Sequence, residues 1–102
     1  MKIAQVQMHV CDDKRQNIRR ACELIRKAAE ESIHMAILPE MFCCPYDNGC
    51  FRRYGEAVGG EAQQALSALA KELGIYLVGG SVPELADGKV YNTCFVFDPR
   101  GD

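Results

Sequence analysis

Glu40 is the residue in this chain best placed for chemistry. The run Met35-Ala36-Ile37-Leu38 reads as a buried strand, Pro39 stops it, and the carboxylate follows at the strand's far end. Open α/β sheets put their reactive groups at the C-terminal ends of strands. Apolar neighbours on both sides lead us to expect a buried carboxylate, its pKa raised by desolvation toward the range a general base needs at neutral pH. The competing reading is a turn or helix-capping glutamate that only starts the next segment. Tyr46, in the pair Pro45-Tyr46, is the second candidate. A phenolic hydroxyl close to such a carboxylate can orient a polar substrate; the alternative is a loop tyrosine with a packed ring and a solvated hydroxyl.

Six cysteines raise two further chemistries, and the spacing argues against both. Without an export signal no disulfide framework is expected, and Cys22 on a helix face and Cys94 in a strand read as small hydrophobes. Cys43, Cys44 and Cys50 with His34 form one cluster, but there is no Cys-x-x-Cys pair and the spacing fits no common zinc pattern. We therefore expect no metal, and read the vicinal Cys43-Cys44 pair as structural. Gly79-Gly80-Ser81 lacks the full phosphate-binding glycine pattern and a following helix, so it reads as a tight strand exit. Pro99-Arg100-Gly101-Asp102 reads as a turn about to lead into another strand.

The elements that must position these residues alternate. Lys2 to Met8 forms a first strand. Asp13, with Gln16 three residues on, has the form of a capping box and opens a helix to about Glu31. Ile18, Ala21, Cys22, Ile25, Ala28 and Ala29 give that helix one apolar stripe. Arg15, Arg19, Arg26 and Lys27 form a solvated face balanced by Glu23, Glu30 and Glu31. The second strand ends at Glu40, and a loop with room for a short helix runs to Gly59. A second helix spans about Gly60 to Leu73, stopped by Gly74 in the left-handed conformation. Ile75 to Gly79 is a continuous apolar strand, as expected of one covered on both faces. Asp87-Gly88 is a turn signal before a fourth strand, Val90 to Phe97. This order predicts an α/β fold over residues 1–102, with mostly parallel core strands and a late antiparallel addition.

Composition narrows the class. Of the 102 residues 48% are hydrophobic and 25% charged, which is ordinary for a globular protein. A net charge of −2 gives no electrostatic case for binding nucleic acid or an anionic membrane. No apolar run is long enough to span a bilayer, and a cytoplasmic address is the default expectation.

Taken in order, Leu38-Pro39-Glu40-Met41-Phe42 with Pro45-Tyr46, then Ile75-Tyr76-Leu77-Val78-Gly79-Gly80-Ser81-Val82-Pro83-Glu84, then Tyr91-Asn92-Thr93-Cys94, resemble the N-terminal part of the nitrilase superfamily of carbon–nitrogen hydrolases. They look closest to its omega-amidase branch. The resemblance runs over essentially the whole chain and implies the first part of a four-layer αββα sandwich. It also implies a hydrolase of a non-peptide carbon–nitrogen bond, acting on the terminal amide of a short dicarboxylic or 2-oxo acid through a Glu–Lys–Cys triad. Only the glutamate has a counterpart here, Glu40; the lysine and cysteine would lie beyond residue 102, and none of the six cysteines matches the nucleophile's position. Tyr46 would sit in the substrate pocket. Neither metal nor organic cofactor is implied, and the complete enzyme would be a homo-oligomer, a dimer. We therefore expect a truncated single domain, inactive alone. The alternative is a noncatalytic remnant of the same fold that binds another protein.

Overall fold

The computed structural model describes residues 1–102. Its core is a four-stranded sheet in the order β1 (Ile3–Gln5), β2 (Met35–Ile37), β3 (Tyr76–Val78) and β6 (Val96–Phe97). β1, β2 and β3 run parallel, and β6 is the antiparallel addition. The connections between the parallel strands are helical: α1 (Lys14–Ala29) between β1 and β2, then α2 (Asn48–Tyr54) and α3 (Glu61–Leu73) between β2 and β3. The alternation read from the sequence is thus the architecture observed.

Helix boundaries follow local chemistry. The Asp13 side chain accepts the backbone N–H of Gln16, satisfying one of the orphan donors at the start of α1. Asp47 does the same for Gly49 and Cys50 at the short helix α2. α3 stops at Gly74, whose φ of 64° is left-handed, and the Gly74 N–H closes on the Ala70 carbonyl. The apolar stripes are buried as their spacing predicts: Ile18, Ala21, Cys22 and Ile25 on α1, and Ala62, Leu66, Leu69 and Ala70 on α3. They cover one face of the sheet, where Ala4, Ala36, Leu77 and Phe97 lie side by side in register. Each fully buried leucine there contributes roughly 1.5–3 kcal/mol of transfer free energy.

Four readings need correction. The predicted first strand, Lys2 to Met8, is regular only over Ile3–Gln5. The predicted fourth strand, Val90 to Phe97, is two strands, β5 (Lys89–Thr93) and β6, and Cys94 sits exposed in the break between them. β5 pairs with β4 (Val82–Ala86), a strand hidden in the sequence by Pro83 and the following charge. The turn between them has φ of 53° at Asp87 and 73° at Gly88, the doubly positive pattern of a tight hairpin turn. The basic face of α1 is also not merely solvated, since Arg15 pairs with Glu61 and Arg26 with Glu72, lacing α1 to α3. The Arg-Gly-Asp segment is a turn, closed by a Gly101 N–H donated to the Asp98 carbonyl and tied to α3 through Ser67 Oγ.

The sheet's other face is bare. Ile3, Tyr76 and Val96 point there and are 51%, 46% and 60% exposed. Parallel strands are ordinarily covered on both faces, and this face departs from that rule.

Gly80 makes a sharp test of the packing. Its φ is 59°, and a Cβ added there would lie 2.0 Å from the Pro39 carbonyl oxygen. Gly88 has a similar φ of 73° with nothing within 4 Å of such a Cβ. Gly88→Ala should therefore cost about 1 kcal/mol, the backbone term alone, and Gly80→Ala at least about 2 kcal/mol more. Denaturant midpoints of the two variants measure the difference; equal losses would mean the close approach is not a constraint.

Candidate functional site

The three parallel strands all end on the same side, and the candidate residues gather there. Leu38 extends the ladder by donating its N–H to the Val78 carbonyl at 2.9 Å, and Pro39, which has no N–H, ends it. Met41 then turns through φ 50°, a left-handed conformation unfavourable for a side chain with a Cβ. Its N–H is captured by the buried Ser81 Oγ at 2.9 Å. Leu38 and Phe42 are buried on either side, so the segment is pinned at both ends while Glu40 projects from the middle.

Glu40 is exposed, which corrects the expectation of a desolvated carboxylate. The apolar residues around it in sequence turn inward and away from it. Its Oε1 accepts two hydrogen bonds, from Asn92 Nδ2 at 2.9 Å and from the Tyr46 hydroxyl at 3.3 Å. The structure thus brings Glu40 and Tyr46 together, as their sequence placement suggests. Tyr46 is 73% exposed, and its ring meets Phe51 edge-on at 5.1 Å. Asn92, on β5, is the site residue that reading the sequence did not single out. The one local signal was an amide between Tyr91 and Thr93 in a short strand, a pattern that sets it apart little from the polar Lys89 and Thr93 of the same strand.

Beside this carboxylate lies a cleft of about 320 Å³ lined by Met41, Tyr46, Phe51, Arg52, Tyr91 and Asn92 among others. Arg52 supplies the one formal charge on its lining. The volume suits a small molecule, with aromatic walls and a few convergent polar groups.

The cysteines do not join the site. Cys43 and Cys44 are buried in the core, and all six thiols are free. Burial, with Cys44 and then Glu56 nearby, pushes the Cys43 thiol up to about 12, the reverse of an activated nucleophile. His34 precedes β2 while Cys43 follows it, so the two stand beyond opposite ends of that strand; the His34 Nδ1 accepts the Lys2 N–H.

A profile of the carbon-nitrogen hydrolase family matches residues 2–102. The chain is 49% identical over 100 residues to the omega-amidase NIT2 of Danio rerio and 46% to that of Homo sapiens. In both comparisons 98% of this chain is covered but 36% of the relative, so the chain spans about a third of those proteins' length. Among solved structures, Nit3 of Saccharomyces cerevisiae, a member of the nitrilase superfamily, superposes with a TM-score of 0.92 at 38% identity, covering 100% of this chain and 41% of that one.

The Cys43 thiol gives a pH-dependent expectation. In the unfolded chain it ionises near the ordinary thiol value of 9.0, whereas burial in the folded chain keeps the proton on to about 12. Between those values the unfolded state binds fewer protons, so stability should fall as pH rises, by about 1.4 kcal/mol per pH unit for one such group. Urea unfolding across that window should show the slope, and Cys43→Ala should reduce it, leaving the part due to the Cys22 and Cys44 thiols that burial also pushes up. In native protein the exposed Cys94 should alkylate long before Cys43 does.

Proposed function

The chain belongs to the carbon–nitrogen hydrolase family, and from that premise we propose that it carries the general-base side of an amidase active site. Glu40 is the base and Tyr46 a substrate-positioning residue, with the lysine and the nucleophilic cysteine supplied by chain beyond residue 102. The observation that carries this reading is the Glu40 carboxylate, held through Oε1 at the C-terminal end of the sheet, beside a cleft that Tyr46 and Asn92 also line.

In that reaction Glu40 takes the thiol proton as sulfur attacks the amide carbonyl carbon. The lysine stabilises the negative oxygen that develops. The proton passes from Glu40 to the leaving nitrogen, the C–N bond breaks, and ammonia departs from a thioester. Glu40 then takes a proton from water, whose oxygen attacks the thioester; the carboxylic acid leaves and the thiol is restored. Arg52 in the cleft supports a substrate whose far end is a carboxylate, as in the terminal amide of a short dicarboxylic or 2-oxo acid. The exposure of Glu40 is consistent with a site that the remaining chain closes over.

One observation favours a second reading, a binding module without catalysis: the bare sheet face with Ile3, Tyr76 and Val96. The same face suits the inner layer of a four-layer sandwich, or a second copy of the chain.

A chimaera in which this chain replaces the matching residues of the Danio rerio protein separates the readings. It should release ammonia from a short-chain dicarboxylic monoamide, and Glu40→Gln should lower kcat by about 10²–10⁴-fold with an unchanged circular-dichroism spectrum. Arg52→Met should raise KM for a carboxylate-bearing amide about ten-fold, roughly 1.4 kcal/mol, and leave a neutral amide unaffected. The 102-residue chain alone should release none. A folded, inactive chimaera would favour the binding module.

A further inference from the structure

We propose that Asn92 is a positioning residue that decides which oxygen of Glu40 takes the proton; this rests on reading Glu40 as the general base. Both hydrogen bonds to the carboxylate fall on one atom, Oε1, from Asn92 Nδ2 at 2.9 Å and Tyr46 OH at 3.3 Å. An ionised carboxylate only accepts, so the Asn92 amide must present its nitrogen, which fixes its orientation. With Oε1 occupied by two donors, Oε2 keeps its lone pairs and is the proton-accepting atom. The proton moves from the attacking thiol to Oε2, and returns from Oε2 to the leaving nitrogen.

Asn92 suits the task better than Tyr46 because of what holds it. It lies on β5, paired across the hairpin with the buried Pro83 of β4. β4 is stitched to the chain ahead of α3: Glu56 donates its N–H to the Pro83 carbonyl, and Leu85 donates to the Glu56 carbonyl. The neighbouring Thr93 hydroxyl donates to Glu84 across the same hairpin. A donor on a paired strand holds an angle that a loop side chain does not. Tyr46, 73% exposed on a loop, is free to leave Glu40 and meet substrate.

Asn92 is itself exposed, so replacing it leaves the core intact and the variants read function. In the 102-residue chain, Glu40→Gln removes the charge that the Asn92 amide donates to and should shift the Asn92 side-chain amide resonances. Amide resonances unchanged by Glu40→Gln would overturn the contact. In the chimaera, Asn92→Ala should lower kcat about 10- to 100-fold while KM stays within a few-fold, the range a small misplacement of a reacting group produces. Asn92→Asp keeps the shape but places a like charge against Glu40, so it should be slower than Asn92→Ala. A packing role predicts the opposite order, and Asp faster than Ala would overturn the proposal. So would both variants within two-fold of the parent in kcat. Full activity in Glu40→Gln would instead remove the base reading itself, whereas an inactive Glu40→Gln beside fully active Asn92 variants would remove only the role of Asn92.

Discussion

The C-terminal end of the sheet is organised by the closeness with which the exit of β3 passes the end of β2. Gly80 lies where a Cβ would stand 2.0 Å from the Pro39 carbonyl oxygen and 2.7 Å from that of Leu38. Only a residue without a side chain fits, and only one at ease with positive φ can turn there. That approach brings the next residue, Ser81, under Met41, where its buried hydroxyl accepts the Met41 N–H. The hydrogen bond offsets part of the strain of a left-handed methionine, and the turn it holds projects Glu40 out of the sheet. The absence of a side chain at position 80 thus sets the direction of a carboxylate forty residues earlier in the chain.

Two polar side chains, the buried Asn17 and the half-buried Glu56, hold the loops around this point. Asn17, on the inner face of α1, donates to the carbonyls of Cys11 and Cys43 and accepts the Cys11 N–H, so its amide is satisfied on both sides. It ties the segment after β1 and the segment after Glu40 to one helix. Glu56 accepts the Ala62 N–H near the start of α3 and meets Lys14 of α1 at 2.5 Å. A half-buried pair like this adds little net stability, but removing either partner leaves the other charged and unpaired. Both contacts act as registration devices, fixing where α1, the loop and α3 sit relative to the site.

The site is therefore assembled from two distant pieces, the loop after β2 and the β4–β5 hairpin, which meet at Glu40. Their meeting is non-local: Asn92 lies 52 positions from its partner. The bare sheet face has the same character in reverse, since Ile3, Tyr76 and Val96 converge from three separate strands on a surface nothing here covers. The cleft beside Glu40 and the exposed sheet face are thus both products of long-range packing.

Local and periodic features were legible in the sequence. Helical spacing on α1 and α3, the Asp13 cap, the Gly74 stop and the Asp87-Gly88 turn each depend on residues within a few positions, where sterics and hydrogen bonding act without help from the rest of the fold. The carboxylate at a strand end and the tyrosine six residues later were legible for the same reason. Exposure at Glu40 was not, because sequence neighbours that are apolar need not be spatial neighbours once the chain turns at Met41. Nor were β4, the ion pairs from α1 to α3, or the donor at Asn92, since each exists only when strands or helices far apart in sequence are packed together. The sequence alone determined the helices, the parallel strands and the candidate groups at the strand ends. The tertiary structure decided which of those groups touch, because a hydrogen bond of 2.9 Å depends on backbone placement that no local pattern encodes.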